Sequence, residues 1–204
     1  VPALHAIGCL VLADVATLAH ARKAIAAGAD GLVLLSAGAG GQTGWLNGMA
    51  FVRALRQEYD GPIVLAGGIS DGVALRAAQV LGCDLAYMGT KFIATRESLA
   101  KDAYKQMLVR SRLDDVLLTR AFTGLETNML RPSIKAAGLD PDNLPMRGAI
   151  DIAKDINAAE RDKPDAKRWK DIWSAGHSVS GVQQVQTVEA LVAQVEQDFH
   201  KAIG

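Results

Sequence analysis

Three glycine-dense segments carry the residues best suited to chemistry. The first reads Leu65-Ala66-Gly67-Gly68-Ile69-Ser70-Asp71-Gly72, and the second reads Tyr87-Met88-Gly89-Thr90-Lys91-Phe92. Glycine lets backbone N–H groups come close to an anion that a side chain would hold away. Thr90 can add a hydroxyl donor. The pattern suits a phosphate held on loop amides beside a helix N-terminus, by Gly67, Gly68, Gly89 and Thr90. Tight turns between strand and helix are the alternative use of the same glycines. Two such loops in succession, one continuing as Gly-Thr, favour the phosphate.

The third segment spans residues 36–44, and glycine fills four of its seven positions from 38 to 44. Glycine costs about 1 kcal/mol of backbone order relative to alanine, so this density predicts a flat ligand against bare backbone. Gly40, Gly41 and Gln42 would touch it, and Thr43 would offer a further donor and acceptor. An amide such as Gln42 donates or accepts a hydrogen bond but takes no proton near neutral pH. His177, in the glycine- and serine-rich stretch 173–180, is a candidate base if that stretch closes over the ligand. A loop histidine held by hydrogen bonds is the other reading. Asp71 reads as a helix cap. Lys91 can assist a phosphate or simply face solvent, and Trp169 and Trp173 read as packing residues.

These residues must be held by elements, and the first half repeats one pattern. Short apolar runs at 6–12, 31–35, 63–66 and 85–88 alternate with amphipathic segments at 14–27, 49–59 and 73–81. Continuous apolar strands alternating with helices predict a parallel sheet covered on both faces. In such folds, sites lie at the carboxyl ends of the strands, where all three glycine segments begin. Four units are half of an eight-stranded barrel, and the strand-like start just after Val1-Pro2 predicts that earlier units lie outside this chain. A partner chain supplying them, or a smaller open sheet, are the alternatives.

The texture changes after Thr95. Helices are expected at 97–112, 149–162 and 187–200, with a polar, proline-spaced stretch at 131–145 and a charged linker at 163–170. The expected division is a half barrel at 1–95, a helical substrate-side region at 96–170, and a closing loop and helix at 171–204.

Composition narrows the function classes. The chain has 204 residues, half of them hydrophobic, and its 22 basic and 22 acidic residues cancel. Neutral balance gives no electrostatic reason to expect nucleic acid or an acidic membrane as partner. No apolar stretch is long enough to span a bilayer. Cys9 and Cys83 sit in apolar runs and read as buried free thiols of a cytoplasmic protein rather than a disulfide or a metal site. A small-molecule substrate is the expected partner.

Taken together, Ala39-Gly40-Gly41-Gln42-Thr43-Gly44, Ala66-Gly67-Gly68-Ile69-Ser70-Asp71-Gly72, the run from Met88 through Gly89-Thr90 to Glu97, and Trp173-Ser174-Ala175-Gly176-His177 resemble the nitronate monooxygenase (2-nitropropane dioxygenase) family. The resemblance implies a (β/α)8 TIM-type barrel of which about the last four units are present, with an inserted helical substrate domain. It implies FMN as cofactor, its phosphate around Gly67, Gly68, Gly89 and Thr90. It also implies a preceding barrel half, or a homo-oligomer partner in its place. One departure matters. The family's loop reads Ala-Gly-Gly-His, its histidine being the expected base, and here Gln42 stands there. The family also often carries a lysine near the end of the fifth strand; Asp14 is the nearest charged residue here. The resemblance therefore supports flavin chemistry more than nitroalkane oxidation. Three functions compete: oxidation of nitronate-like carbanions with O2, NAD(P)H-dependent reduction of an enoyl thioester or quinone, and a non-catalytic phosphate-ligand-binding or barrel-completing subunit.

Overall fold

The computed structural model describes residues 1–144 and 172–202. The expected helix at 149–162, the linker at 163–170, Trp169 and Pro145 lie outside the described residues. Four strands, β1 (Leu12–Val15), β2 (Gly31–Leu35), β4 (Ile63–Ala66) and β5 (Leu85–Tyr87), form a parallel sheet in the order β1-β2-β4-β5. Each successive strand adds to the same side, which is the order of a barrel rather than of a doubly wound sheet. The helices between them are α2 (Leu18–Ala26), α3 (Gly48–Leu55) and α4 (Gly72–Leu81).

Side chains alternate across a strand, so each central strand feeds two layers. Leu32, Leu34, Ile63 and Leu65 pack outward on Phe51, Val52, Leu55 and Ala21 of the helices. Val33, Val64 and Ala66 face the other way and form the interior cluster. Both faces of β2 and β4 are covered, which is why their sequences read as unbroken apolar runs. The helices start at side-chain caps. Thr17, Asn47 and Asp71 each accept the backbone N–H three residues on, from His20, Ala50 and Ala74, so the capping role of Asp71 holds.

The first unit departs from expectation. Residues 2–5 form a short helix, α1 (Pro2–His5), and the strand begins only at Leu12. Pro at the first helical position and the carbonyls of Val1 and Pro2, which take the N–H groups of His5 and Ala6, drive that turn. Asp14 consequently lies in β1, and Thr17 rather than Asp14 opens the next helix. Cys9 falls in the connecting turn and is exposed, whereas Cys83 is buried as expected.

Beyond β5 come α5 (Thr90–Ile93) and α6 (Asp102–Arg110). The region from 96 onward, expected to be helical, also holds a hairpin. β6 (Val116–Thr119) and β7 (Thr127–Leu130) form an antiparallel hairpin, to which β3 (Gly41–Gln42) adds a third strand in the order β3-β7-β6. The Val-Leu-Leu-Thr run and the inward burial of all four β7 residues suit a strand better than a helix. A short helix, α7 (Arg131–Ala136), follows where Pro132 again sits in the first turn. The chain closes with a 3-10 turn, His177–Gly181, and α8 (Val188–Lys201). Helix α8 lies across α4 so closely that a Cβ on Gly72 would fall 2.1 Å from the Phe199 nitrogen. Among the described residues no helix is long and apolar enough to cross a membrane.

Candidate functional site

The carboxyl ends of β2, β4 and β5 open into a cavity of about 190 Å³. The glycine loop supplies Gly38, Ala39 and Gly40, the β4 loop supplies Gly67, Gly68 and Ile69, and the α5 start supplies Gly89 and Thr90. The closing segment completes it with Ser174, Ala175 and Ser178. Four segments far apart in sequence thus meet around one space, and the glycine loops after β4 and β5 lie side by side as those strands pair.

The glycines of this wall serve different ends. At Gly68 and Gly89 an added Cβ would meet no protein atom within 4 Å, so bare backbone faces open space, although the left-handed φ of 78° at Gly68 by itself also favours glycine. Gly67 and Gly40 also line the cavity, yet protein packing already requires them. A Cβ on Gly67 would lie 2.6 Å from the Ser36 hydroxyl, and its φ of 122° is left-handed. A Cβ on Gly40 would lie 2.7 Å from the Gly176 nitrogen, and one on Gly176 would lie 2.5 Å from the Gly38 carbonyl oxygen. The Gly38 backbone also carries the His177 ring, and Gly44 abuts the Leu35 carbonyl. The glycines of residues 38–44 thus already have uses within the fold, backbone packing at Gly40 and Gly44 and left-handed φ at Gly38 and Gly41, contrary to the expectation that a ligand alone would explain them.

Hydrogen bonds fix the loop from several sides. The Ser36 hydroxyl donates to the Ala66 carbonyl at 2.9 Å, and the Thr43 hydroxyl donates to the Ser36 carbonyl at 2.8 Å. Thr43 is thereby committed to the loop rather than to a ligand. The buried Asn128 of β7 donates from its amide nitrogen to the Ala39 carbonyl at 2.8 Å. The Gly176 N–H donates to the Thr90 hydroxyl oxygen at 2.9 Å, and the His177 N–H donates to the Gly38 carbonyl at 2.8 Å. Thr90, itself buried, keeps its own O–H proton to donate.

The closing segment is anchored from behind. Tyr104 stacks on Trp173 with centroids 4.9 Å apart, and its hydroxyl donates to the Ser174 carbonyl. Burial pushes the Tyr104 phenol up from its ordinary value. The Arg96 N–H donates to the Gln186 carbonyl at 2.9 Å, and the Glu97 carboxylate accepts the Val188 N–H at the start of α8. The buried Lys105 ammonium donates to the Ser98 carbonyl at 2.7 Å, steadying the same crossing.

Not every expected site residue lines this space. Gly41 and Gln42 sit on β3, paired with Asn128 and Thr127, outside the lining, and the Gln42 side chain is exposed. His177 is exposed, its ring against Gly38 at the cavity's rim. Lys91 points elsewhere, into a second, polar cavity of about 330 Å³ shared with Asp71, Gln194 and Asp198. Asn128 was not anticipated. An asparagine just before Met129-Leu130 is at most a weak local signal, and its burial in β7 is what makes its amide need a partner. No group of three or more potential metal-ligating side chains occurs among the described residues.

Comparison with known proteins agrees with this architecture. A nitronate monooxygenase from Paraburkholderia phytofirmans is 30% identical over 96% of this chain and 56% of its own length. A Rhodococcus jostii protein named as a hydroxy-methyl-oxo-octahydroindene carboxyl-CoA dehydrogenase is 28% identical over 85% of this chain and 48% of its own. The structure of a nitroalkane oxidase from Streptomyces ansochromogenes superimposes with a TM-score of 0.79 at 26% identity, covering 98% of this chain and 60% of that one. The chain thus spans about half the length of the curated relatives it matches, and its four βα units are part of a TIM-type barrel. The family model for nitronate monooxygenase matches residues 1–198, glycine loops, hairpin and closing segment included, and the chain belongs to that family.

Proposed function

We propose that the full-length protein is an FMN-dependent oxidoreductase acting on nitronate-like carbanions with O2 as second substrate. The observation that carries this reading is the bare backbone of Gly68 and Gly89, facing one cavity from adjacent strand ends beside the Thr90 hydroxyl. A Cβ-free cradle of amides at a barrel's last strand ends fits a phosphate. FMN, when bound, supplies acceptance of electrons from the substrate carbanion. The chain's own residues supply position: Gly68, Gly89 and Thr90 hold the phosphate, while Ala39 and Gly40 offer flat backbone to the ring system.

Proton chemistry follows from the residue types. A nitronate is already an anion, so its oxidation requires no base. A neutral nitroalkane must first lose a carbon-bound proton, and the Gln42 amide cannot take it. His177 is the candidate base, by its place at the rim.

A second reading is an FMN-dependent NAD(P)H reductase of an enoyl thioester or quinone. It is favoured by glutamine at position 42 and by the likeness to a relative named for an acyl-CoA substrate. Purified full-length protein decides between them. Retained FMN that bleaches anaerobically with a nitronate supports the first reading, and bleaching with NAD(P)H alone supports the second. A colourless protein that takes up no FMN overturns both and leaves a binding or barrel-completing role.

A further inference from the structure

We infer that Asn128 is a positioning residue of the cavity: by holding the Ala39 carbonyl it presents the Gly40 N–H to a hydrogen-bond-accepting ring atom of the bound cofactor. The inference rests on the flavin reading above. Ala39 and Gly40 share one peptide plane, and the chain contains no cis peptide among its described residues. In a trans peptide the carbonyl and the N–H point to opposite sides. Asn128 takes the carbonyl on the hairpin side at 2.8 Å. The N–H of Gly40 is thereby turned away from the hairpin, and both Ala39 and Gly40 line the cavity. Among the described residues no protein acceptor takes that N–H, and Gly40 is exposed.

The arrangement holds the peptide in one orientation without help from the ligand. Asn128 is 2% exposed and sits mid-strand in β7, opposite Gly41 on one side and Leu118 on the other. The Ala39 N–H is occupied by the Ser36 carbonyl at 3.1 Å, so the loop cannot easily rotate to exchange donors. The Gly176 backbone closes the other side of Gly40. A donor fixed before binding costs no reorganisation when it meets its acceptor. With a ring nitrogen or ring carbonyl as the acceptor, whose electron density rises on reduction, the donor favours the reduced cofactor.

The experiment uses the full-length protein, with and without FMN, and the variants Asn128→Asp and Asn128→Ala. Asn128→Asp keeps the shape and removes the donor. Expected in wild type is fast hydrogen exchange at the Gly40 amide without FMN and protection with it. Expected in folded Asn128→Asp is about tenfold weaker FMN retention, a shifted flavin absorption band and a lower reduction potential. Unchanged Gly40 exchange on adding FMN to wild type overturns the inference without reference to any variant. So does a folded Asn128→Asp protein whose flavin band, affinity and potential match wild type, and in that case the flavin reading survives. If wild type takes up no FMN, the flavin reading fails and this inference with it.

Discussion

Thr90 and Gly176 meet although they lie 86 positions apart, the buried hydroxyl oxygen of one accepting the N–H of the other at 2.9 Å. This bond joins the start of α5 to the closing segment, and both line the cavity. Thr90→Val keeps the shape and removes the acceptor, leaving a buried N–H unsatisfied. The expected cost is about 1–3 kcal/mol in denaturant unfolding, with Thr90→Ser close to wild type. Equal stability of the valine and serine variants would show that the bond contributes nothing.

Gly89 and Gly67 line the same cavity for different reasons, so their substitutions should separate. Gly89 has ordinary backbone geometry and open space around it. Gly89→Val should fold with near-normal stability and lose FMN. Gly67→Ala must push a methyl against Ser36 at left-handed φ and should lose stability first, by about 1–3 kcal/mol. Thermal unfolding beside flavin content of the purified proteins distinguishes the two. A destabilised Gly89→Val protein that still holds flavin would reverse the assignment.

Gln42 supplies no general base, so wild type should turn over preformed nitronate far better than neutral nitroalkane at one pH. A correctly placed base is typically worth about 10²–10⁴-fold. Gln42→His should therefore raise nitroalkane turnover measurably if β3 brings that position to the substrate. Efficient turnover of nitroalkane by wild type points instead to His177, and His177→Ala should then abolish it.

The two thiols should titrate apart. Cys9 is exposed and should react at once with a thiol reagent, whereas Cys83 should react only on unfolding. Burial pushes the Cys83 thiol up from 9.0 to about 11. The unfolded thiol ionises first, so Cys83 contributes stability below pH 9.0 that is lost as pH rises toward about 11. Cys83→Ala should flatten that alkaline slope. Two equivalents of fast-reacting thiol in the native protein would contradict the burial.

The parts of this fold that a local pattern reveals are those whose burial is continuous. Residues 31–35 and 63–66 are covered on both faces and were readable as strands to the residue. Residues 6–10 are equally apolar, yet Ile7 and Leu10 are exposed, because the turn after α1 takes the chain off the sheet. The hairpin escaped notice because its strands are four residues each and its third partner is a two-residue strand from the glycine loop. The glycines at 68 and 89 are legible by their spacing. Gly40 owes its identity to Gly176, and Asn128 finds its acceptor 89 residues away, so neither purpose is written in its neighbourhood.

The wall contributed by Ser174, Ala175 and Ser178 also has a consequence in time. A growing polypeptide makes the β2, β4 and β5 loops early and the segment that roofs them late. Domains fold broadly in the order they are synthesised, and until residue 176 has left the ribosome the Thr90 hydroxyl lacks its donor and the space above Gly68 stays open to water. Any ligand retained here must therefore wait for the closing segment, and a nascent chain stalled before residue 174 carries the loops at 67–68 and 89–90 without the wall that completes the cavity.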